Sequence, residues 1–215
     1  MNEQVERDVM EYDVLIIGGG PSGLSSAIKV KQLASAEGKD VSVCVLEKGS
    51  EIGAHILSGN VFEPTALNEL IPDWKEKEAP LNSPATKDIV KFMISENSSF
   101  NIPFPSFLIP TFNNHGNYVM SLANFTRWLA TQAESLGVEI FPGFTAAEVI
   151  FEENVVKGVL TGEMGISKDG EKKPSYQPSM ELRGKYTVFA EGCRGHLGKQ
   201  LIKKFNLDEN RDPQH

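Results

Sequence analysis

The apolar positions of the chain fall into short uninterrupted runs and longer periodic stretches, separated by glycine and proline. Val14 to Ile17 are four apolar residues in a row, mostly β-branched, which is typical of a strand buried on both faces of a parallel sheet. Residues 25–36 then predict a helix, and Val41 to Leu46 predict a second buried strand. This strand–helix–strand order favours an α/β fold built on a parallel sheet.

The later pattern adds an antiparallel layer and more helices to this beginning. Residues 121–136 place apolar side chains on one helical face, with Ser121 as the predicted N-cap and Gly137 after the last turn. Residues 145–151 and 155–160 predict an antiparallel strand pair around a polar turn. The other predicted elements are a short helix over 64–70, strands over 89–94, 118–120 and 138–141, a charged loop over 167–179, a strand that starts at 186 and a helix over 196–205.

The first strand runs directly into the glycine-rich turn G-x-G-x-x-G, formed by Gly18, Gly20 and Gly23. In this motif the first glycine permits a tight bend, the second lets a pyrophosphate approach the backbone, and the third lets the helix pack close to the strand. Pro21 and Ser22 suit the first turn of that helix, whose free N–H groups and positive dipole end attract phosphate. The turn therefore predicts a dinucleotide site; a glycine-rich turn without a ligand is the alternative.

An acid at the end of the second strand strengthens this prediction. Glu47 directly follows the apolar run Val41 to Leu46. A carboxylate at that place can accept the two ribose hydroxyls of an adenosine and would repel a 2′-phosphate. The sequence therefore predicts an adenine dinucleotide.

The stretch from Lys48 to Gly59 is a long loop that contains Gly49, Gly53 and Gly59, where a nicotinamide-type domain would continue with a helix and a strand. Such glycines let the backbone run beside a large planar group, so we interpret the loop as a cradle for the isoalloxazine of FAD. His55 within it either contacts the flavin or caps local backbone.

Two further segments are candidate contacts. Arg127 is predicted in the second turn of the helix over 121–136, where it reaches a phosphate or the flavin or is simply solvated. The segment 186–195 is an apolar strand that runs into Ala-Glu-Gly before a helix, and its Gly192 and Gly195 admit close approach of the backbone. We interpret this segment as a second strand–turn–helix contact that closes the same nucleotide site.

The segment Phe100 to Pro110 is strongly apolar but contains three prolines, which exclude a regular helix and disfavour a central strand. It is interpreted as covering a core, an apolar ligand or a membrane surface, or as an ordinary loop.

Composition and charge further narrow the classes of protein to which the chain can belong. The chain has 215 residues, of which 40% are hydrophobic and 23% charged, and this is typical of a soluble globular protein. The formal net charge of −8 argues against nucleic-acid binding. The two cysteines, Cys44 and Cys193, form neither a disulfide framework nor a four-cysteine cluster site. Residues 1–11 are acidic and lack the pattern of an export or transit peptide, so a reducing compartment is expected.

Several blocks of sequence together resemble the electron transfer flavoprotein–ubiquinone oxidoreductase family, a group of glutathione-reductase-type flavoproteins. Some of them, such as GAHILSG at 53–59 and NNHGNY at 113–118, are not general to flavoproteins. The blocks that carry the resemblance are 14–27, 46–64, 71–81, 113–118, 128–143, 189–195 and 199–201.

The resemblance implies FAD, a 4Fe-4S cluster, and transfer of electrons from reduced electron transfer flavoprotein to ubiquinone. It also implies peripheral attachment to the cytoplasmic face of a bacterial inner membrane, or to the matrix face of the mitochondrial inner membrane. The cluster cysteines, the quinone-contacting glycines and the last flavin-contacting strand of the family follow the segment that matches this chain. We therefore expect the chain to be a fragment, less than half of the enzyme, with no metal ligands of its own.

The sequence thus predicts a Rossmann-type FAD-binding fold with a small antiparallel layer, as an incomplete domain. Residues 1–11 are the predicted tail, 12–215 the partial flavoprotein domain, and 88–121 the start of an inserted quinone- and membrane-facing region. We expect an FAD-dependent oxidoreductase, with no catalytic side chain assigned; another FAD-dependent reductase acting on quinones or isoprenoids and a non-catalytic FAD-binding fragment are the alternatives. The predicted cofactor-binding residues are Gly18, Gly20, Pro21, Ser22, Gly23, Glu47, Lys48, Gly53, His55, Ser58, Gly59, Arg127 and Gly192.

Overall fold

The fold is described from a computed structural model, which places residues 7–57, 59–102 and 113–209. In chain order its elements are β1 (Val9–Ile17), α1 (Pro21–Ala36), β2 (Val43–Glu47), β3 (Asn60–Phe62), α2 (Thr65–Leu70), β4 (Val90–Ser95), β5 (Ser98–Ile102), β6 (Tyr118–Met120), α3 (Leu122–Ser135), β7 (Glu139–Pro142), β8 (Ala146–Glu152), β9 (Val155–Thr161), β10 (Met164–Ile166), β11 (Lys172–Gln177), β12 (Glu181–Phe189) and α4 (His196–Phe205). The chain divides into two units, residues 1–56 with 126–215 and residues 57–125.

The first unit is organised on a six-stranded sheet in the order β7-β2-β1-β12-β9-β8. β7, β2, β1 and β12 run parallel to one another, and β9 and β8 add an antiparallel pair beside β12. Ile17 is level with Leu46 on one side and with Phe189 on the other. The carboxyl ends of β1, β2 and β12 therefore lie at one edge of the sheet, which is where α/β folds bind ligands.

The central strands form the core because both faces of the sheet are covered. Leu15, Ile16, Cys44 and Val45 have no exposed surface, and α1 buries Leu24 and other apolar residues. Burial raises the pKa of the Cys44 thiol to about 12, with a smaller contribution from the Glu139 carboxylate. Cys44 therefore packs as a buried apolar side chain in this core.

The second unit contains α2, the antiparallel pair β3–β6 and the hairpin β4–β5. Its interior includes Trp74, which is 5% exposed, donates from Nε1 to Asn68 Oδ1 at 2.7 Å and meets the ring of Tyr118 edge-on. β5 takes up the first three residues of the apolar segment predicted over 100–110, and the rest of that segment lies outside the described residues. None of the helices described here is long and apolar enough to cross a membrane.

The structure corrects the interpretation of residues 167–179 as a loop. β11 lies within this range and pairs with β10 just before it as an antiparallel hairpin, whose turn is closed by a hydrogen bond from Ser167 N to Glu171 O at 2.8 Å. Gly170 has φ +85° in the turn, which suits glycine. Pro174 is tolerated because a two-stranded ribbon leaves one side of each strand unpaired.

Other element boundaries differ because pairing extends the strands. β1 begins at Val9 and β12 at Glu181, since these residues are partners at the start of the ladder. α1 begins at Pro21, four residues earlier than the helix predicted from Ser25. β6 and α4 have the predicted bounds.

Candidate nucleotide-binding site

The turn between β1 and α1 requires glycine at its first and last motif positions. Gly18 has φ +113°, and a Cβ there would lie 2.4 Å from the carbonyl oxygen of Ala190. A Cβ at Gly23 would lie 2.0 Å from the carbonyl oxygen of Gly18. These distances are too short for any side chain, so the two glycines bring the strand, the turn and the helix into direct backbone contact.

Gly20 differs from both, because a Cβ there would have no heavy atom within 4 Å. Gly20 is the N-cap of α1 and supplies no side-chain cap, and Pro21 occupies the first helical position. Ser22 is exposed and Gly23 is buried behind it. The N-terminus of α1 thus has open space in front of its backbone, as an anion site at a helix N-terminus requires.

The Glu47 carboxylate is held beside this turn by two backbone donors. Gly19 N donates to Oε2 at 2.9 Å, and Gly49 N donates to Oε1 at 2.7 Å. Each carboxylate oxygen has a second lone pair for a further donor, such as a ribose hydroxyl. Glu47 is therefore fixed in position at the carboxyl end of β2, adjacent to the turn.

Gly19 is a site residue that was not predicted from the sequence, and Gly49, predicted as part of the flavin cradle, also donates to Glu47. A Cβ at Gly19 would lie 2.6 Å from Ile52 Cδ1 and 3.2 Å from Glu47 Oε2, and one at Gly49 would lie 3.0 Å from Glu47 Oε1. The signal available in the sequence was the run of three glycines at 18–20, which is one more than the motif uses.

The loop after Glu47 bends back along the site. Gly53 is buried with φ +84°, and Lys48 and His55 are exposed. A Cβ added at Gly49 would lie 3.4 Å from His55 Nδ1. A hydrogen bond from Gly143 N to Gly49 O at 2.7 Å joins the loop to the end of β7.

Arg127 on α3 pairs with a carboxylate, a partner that the sequence analysis did not consider. Its Nη2 lies 3.1 Å from Glu51 Oε1, and both side chains are largely exposed. An exposed pair of this kind contributes about 0–1 kcal/mol.

Two predicted residues fall elsewhere. Ser58 lies outside the described residues, and Gly59, with φ +86°, belongs to the unit 57–125. The structure thus brings Gly18, Gly20, Pro21, Ser22, Gly23 and Glu47 together, with Lys48, Gly53, His55 and Arg127 in or against the following loop.

The turn between β12 and α4 has a different arrangement. Gly192 is exposed with φ +76°, and the Glu191 carboxylate before it accepts hydrogen bonds from Gly198 N at 2.8 Å and Leu197 N at 3.3 Å. Glu191 Oε1 also lies 3.3 Å from His196 Nδ1. A protein carboxylate therefore occupies the N-terminus of α4. Glu191 was not predicted as a site residue from the sequence, although three glycines follow it within seven residues.

Comparison with known proteins agrees with this geometry. Residues 16–71 match the family model described as an NAD(P)-binding Rossmann-like domain. A relative from Pseudomonas aeruginosa, named electron transfer flavoprotein-ubiquinone oxidoreductase, is 58% identical over 98% of this chain and 38% of its own length. Mitochondrial proteins of the same name from Arabidopsis thaliana and Homo sapiens are each 50% identical, over 100% and 98% of this chain and 33% and 34% of theirs. The resemblance seen in the sequence is confirmed, and the chain spans about a third of the length of these relatives.

Solved structures with the same fold include a geranylgeranyl bacteriochlorophyll reductase-like protein from Thermoplasma acidophilum, with a TM-score of 0.58 and 22% identity over 85% of this chain and 39% of that one. Aklavinone-11 hydroxylase, solved with FAD and aklavinone, has a TM-score of 0.59 and 19% identity over 88% of this chain and 34% of that one. At these identities the likeness concerns the fold, and the predicted α/β class is confirmed.

Proposed function

We propose that this chain, a homologue of the electron transfer flavoprotein–ubiquinone oxidoreductases over nearly its whole length, forms the FAD-binding part of such an enzyme. The whole enzyme takes electrons from reduced electron transfer flavoprotein and passes them to ubiquinone, with a 4Fe-4S cluster held by residues outside this chain. The observation that carries the proposal is the open N-terminus of α1 beside the fixed carboxylate of Glu47, in a chain with this degree of identity.

The residues of the site fit FAD in a definite order. The backbone at Gly20 and the first turn of α1 would bind the pyrophosphate, since a Cβ at Gly20 meets no atom and the helix N-terminus favours negative charge. Glu47 would accept the ribose hydroxyls. The loop 48–57 follows directly and would line the path toward the flavin. The bound flavin supplies the electron-accepting chemistry, and the protein supplies binding, orientation and electrostatics.

We extend the proposal to the membrane surface, since ubiquinone is an apolar substrate. The hairpin β4–β5 exposes Phe92 at 54%, Met93 at 62%, Ile94 at 64% and Phe100 at 51%, and the rings of Phe92 and Phe100 lie 5.5 Å apart. Exposed apolar clusters of this kind mark contacts with proteins, ligands or lipid. Peripheral attachment through this hairpin would place the enzyme on the face of an energy-transducing membrane, within reach of the quinone pool.

FAD binding is tested by titrating the purified chain with FAD and following flavin fluorescence. The parent should bind with a stoichiometry of about one, and Gly20→Val should abolish binding because its side chain fills the space kept for the phosphates. Gly162→Val is the matched control, since a Cβ there has only ordinary contacts at 3.8 Å or more and lies beyond the end of β9. Equal binding by the Gly20→Val variant would remove the dinucleotide assignment.

The enzyme assignment is tested in a chimera. This chain replaces the matching 214 residues of the Pseudomonas aeruginosa relative, and reduction of a ubiquinone analogue by reduced electron transfer flavoprotein is measured. Activity within about tenfold of the parent relative supports the proposal. A chimera that holds FAD but does not oxidise electron transfer flavoprotein would favour another FAD-dependent reductase.

The membrane contact is tested in the same chimera by flotation with liposomes. Replacing Phe92 and Phe100 by Ser should release the protein while its flavin content stays unchanged, since interfacial binding scales with buried apolar area. Val155→Ser, which removes another exposed apolar side chain at the start of β9, is the control. Undiminished flotation of the double variant would contradict the role of the hairpin.

A further inference from the structure

We propose that Glu191 is a positioning residue for the dinucleotide turn: its carboxylate fills the N-terminus of α4 and thereby holds the end of β12 against Gly18. The consequence for cofactor affinity rests on the proposed FAD site, whereas the effect on the turn itself does not.

The Glu191 carboxylate is anchored by two backbone N–H groups of α4. Gly198 N donates to Oε2 at 2.8 Å and Leu197 N donates to Oε1 at 3.3 Å, and these are N–H groups that an α-helix leaves without intrahelical partners. The Glu191 side chain is 12% exposed, whereas His196, its third contact, is 56% exposed. A carboxylate that accepts backbone N–H groups at a helix N-terminus forms charge-assisted hydrogen bonds.

Two glycines at the start of α4 leave space for the Glu191 side chain. A Cβ at Gly195 would lie 2.6 Å from Glu191 Cβ and 2.8 Å from Glu191 Oε2, so any other residue at Gly195 would displace Glu191. A Cβ at Gly198 would lie 3.5 Å from the same oxygen. The glycine at the N-cap of α4 has no capping side chain of its own, and Glu191 provides the cap from four residues upstream.

The backbone at Ala190 and Glu191 is in contact with the turn between β1 and α1. Ala190 N donates to Ile17 O at 2.8 Å, and a Cβ at Gly18 would lie 2.4 Å from Ala190 O and 3.3 Å from Glu191 N. The backbone of Ala190 and Glu191 therefore packs on Gly18. α4 is itself anchored, because Leu197 is fully buried in the core that includes Leu15 and Leu182.

These contacts form one continuous path from the core through α4 and Glu191 to Gly18. Without the carboxylate, Ala190 and Glu191 lose the hydrogen bonds that fix them to the N-terminus of α4. The backbone that packs on the turn at Gly18 is then less well fixed. The geometry of the N-terminus of α1, which follows this turn, then becomes less well defined. Since binding sites are most effective when their geometry is held in advance, FAD should bind more weakly.

The test uses the purified chain with Glu191→Ala, the isosteric Glu191→Gln, and Glu148→Ala as a control that removes an exposed carboxylate from β8. Glu191→Ala should weaken FAD binding about tenfold, which is the loss of one cap expressed as affinity. Glu191→Gln keeps the shape and one acceptor but turns an NH2 group toward the other backbone N–H, so its affinity should lie between those of Glu191→Ala and the parent. An affinity of Glu191→Ala equal to that of Glu148→Ala would overturn the proposal.

Hydrogen–deuterium exchange of the chain without FAD gives a readout that is independent of the cofactor. In Glu191→Ala the amides of Gly18 and Gly19 should exchange several times faster than in the parent, while those of β9 keep their rates. Faster exchange in β9 as well would mean general destabilisation, and unchanged rates at Gly18 would mean that Glu191 does not hold the turn; either result overturns the proposal. A parent that does not bind FAD would refute the proposed function, and the exchange rates would still decide the role of Glu191.

Discussion

The first unit contains two strand–turn–helix junctions at the same edge of its sheet, and they treat their helix N-termini in opposite ways. After β1, Gly20 leaves the N-terminus of α1 without a side-chain cap and with open space in front of it. After β12, Glu191 fills the N-terminus of α4. Both junctions are rich in glycine, and both helices begin with N–H groups that have no intrahelical partner and with a positive dipole end.

The difference shows that a glycine near a helix N-terminus can leave space for one of two different groups. At Gly20 the missing side chain keeps space for a ligand. At Gly195 it keeps space for a side chain of the protein, since a Cβ there would meet Glu191 at 2.6 Å. The junction after β12 was predicted to be a second nucleotide contact that closes the same site. In the structure a carboxylate already occupies its helix N-terminus, and the role proposed for that carboxylate is to support the first junction.

The largest effect is expected from Gly23→Ala in the first junction. The new methyl group would lie 2.0 Å from Gly18 O, so helix and turn would have to separate. We expect a loss of more than about 3 kcal/mol in the free energy of unfolding, above the usual cost of overpacking because the clash is with backbone. Urea denaturation followed by circular dichroism measures it. A loss below about 1 kcal/mol would show that the turn is less tightly packed than described.

Glu47→Gln should have the next largest effect, on cofactor affinity. The change keeps the shape but removes charge-assisted hydrogen bonds worth about 1.5–3 kcal/mol, so FAD affinity should fall about 10- to 100-fold. Glu148→Gln is the matched control, because it makes the same change at an exposed carboxylate on β8, away from the turn. If the Glu47 variant binds FAD within twofold of the parent, another group holds the ribose.

Gly198→Ala makes in the second junction the same substitution as Gly23→Ala in the first. The change in the free energy of unfolding should have the opposite sign. Its methyl group would lie 3.5 Å from Glu191 Oε2, which is ordinary contact, and alanine is the better helix former. We expect the free energy of unfolding to rise by up to about 1 kcal/mol, measured by urea denaturation, with FAD affinity unchanged. A destabilised variant would indicate that Glu191 needs more room than the structure provides.

The smallest effect is expected from Asp13→Asn, where β1 contacts Lys185 of β12 and Ser42, the residue before β2, away from both junctions. Hydrogen bonds from Lys185, then from Ser42, lower the pKa of Asp13 from 3.8 to about 2. Because the folded-state pKa is lower than the unfolded one, this stabilisation is present above about pH 4 and is lost as the pH falls toward 2. Thermal melts of the parent and Asp13→Asn should differ slightly at pH 7 and converge near pH 2, with FAD binding equal at pH 7. Melting curves that stay equally far apart at both pH values would contradict this assignment.

The local patterns predicted the first junction well, because the residues that build it are close together in sequence. The run Val14 to Ile17, the glycine turn and α1 are adjacent, and Glu47 follows the next strand. Elements with a strong period or a clear cap, such as α3 and α4, were likewise located from the sequence. The hairpin β10–β11 was missed because β10 is only three residues long and β11 is polar and interrupted by Pro174. The alternation that identifies a strand is therefore absent.

What the sequence by itself determined is therefore the α/β class, the order of the main elements, the position of the dinucleotide turn and the resemblance to a flavoprotein family. Tertiary structure alone decided which groups face one another. Glu47 meets the N–H groups of Gly19 and Gly49, and Arg127 meets Glu51 across 76 positions of sequence. Glu191 looks in the sequence like any acid after a strand, and its role depends on a helix that turns back onto it and on β12 lying beside β1. Such contacts depend on distances between segments that are far apart in the chain, and no local period or propensity contains them.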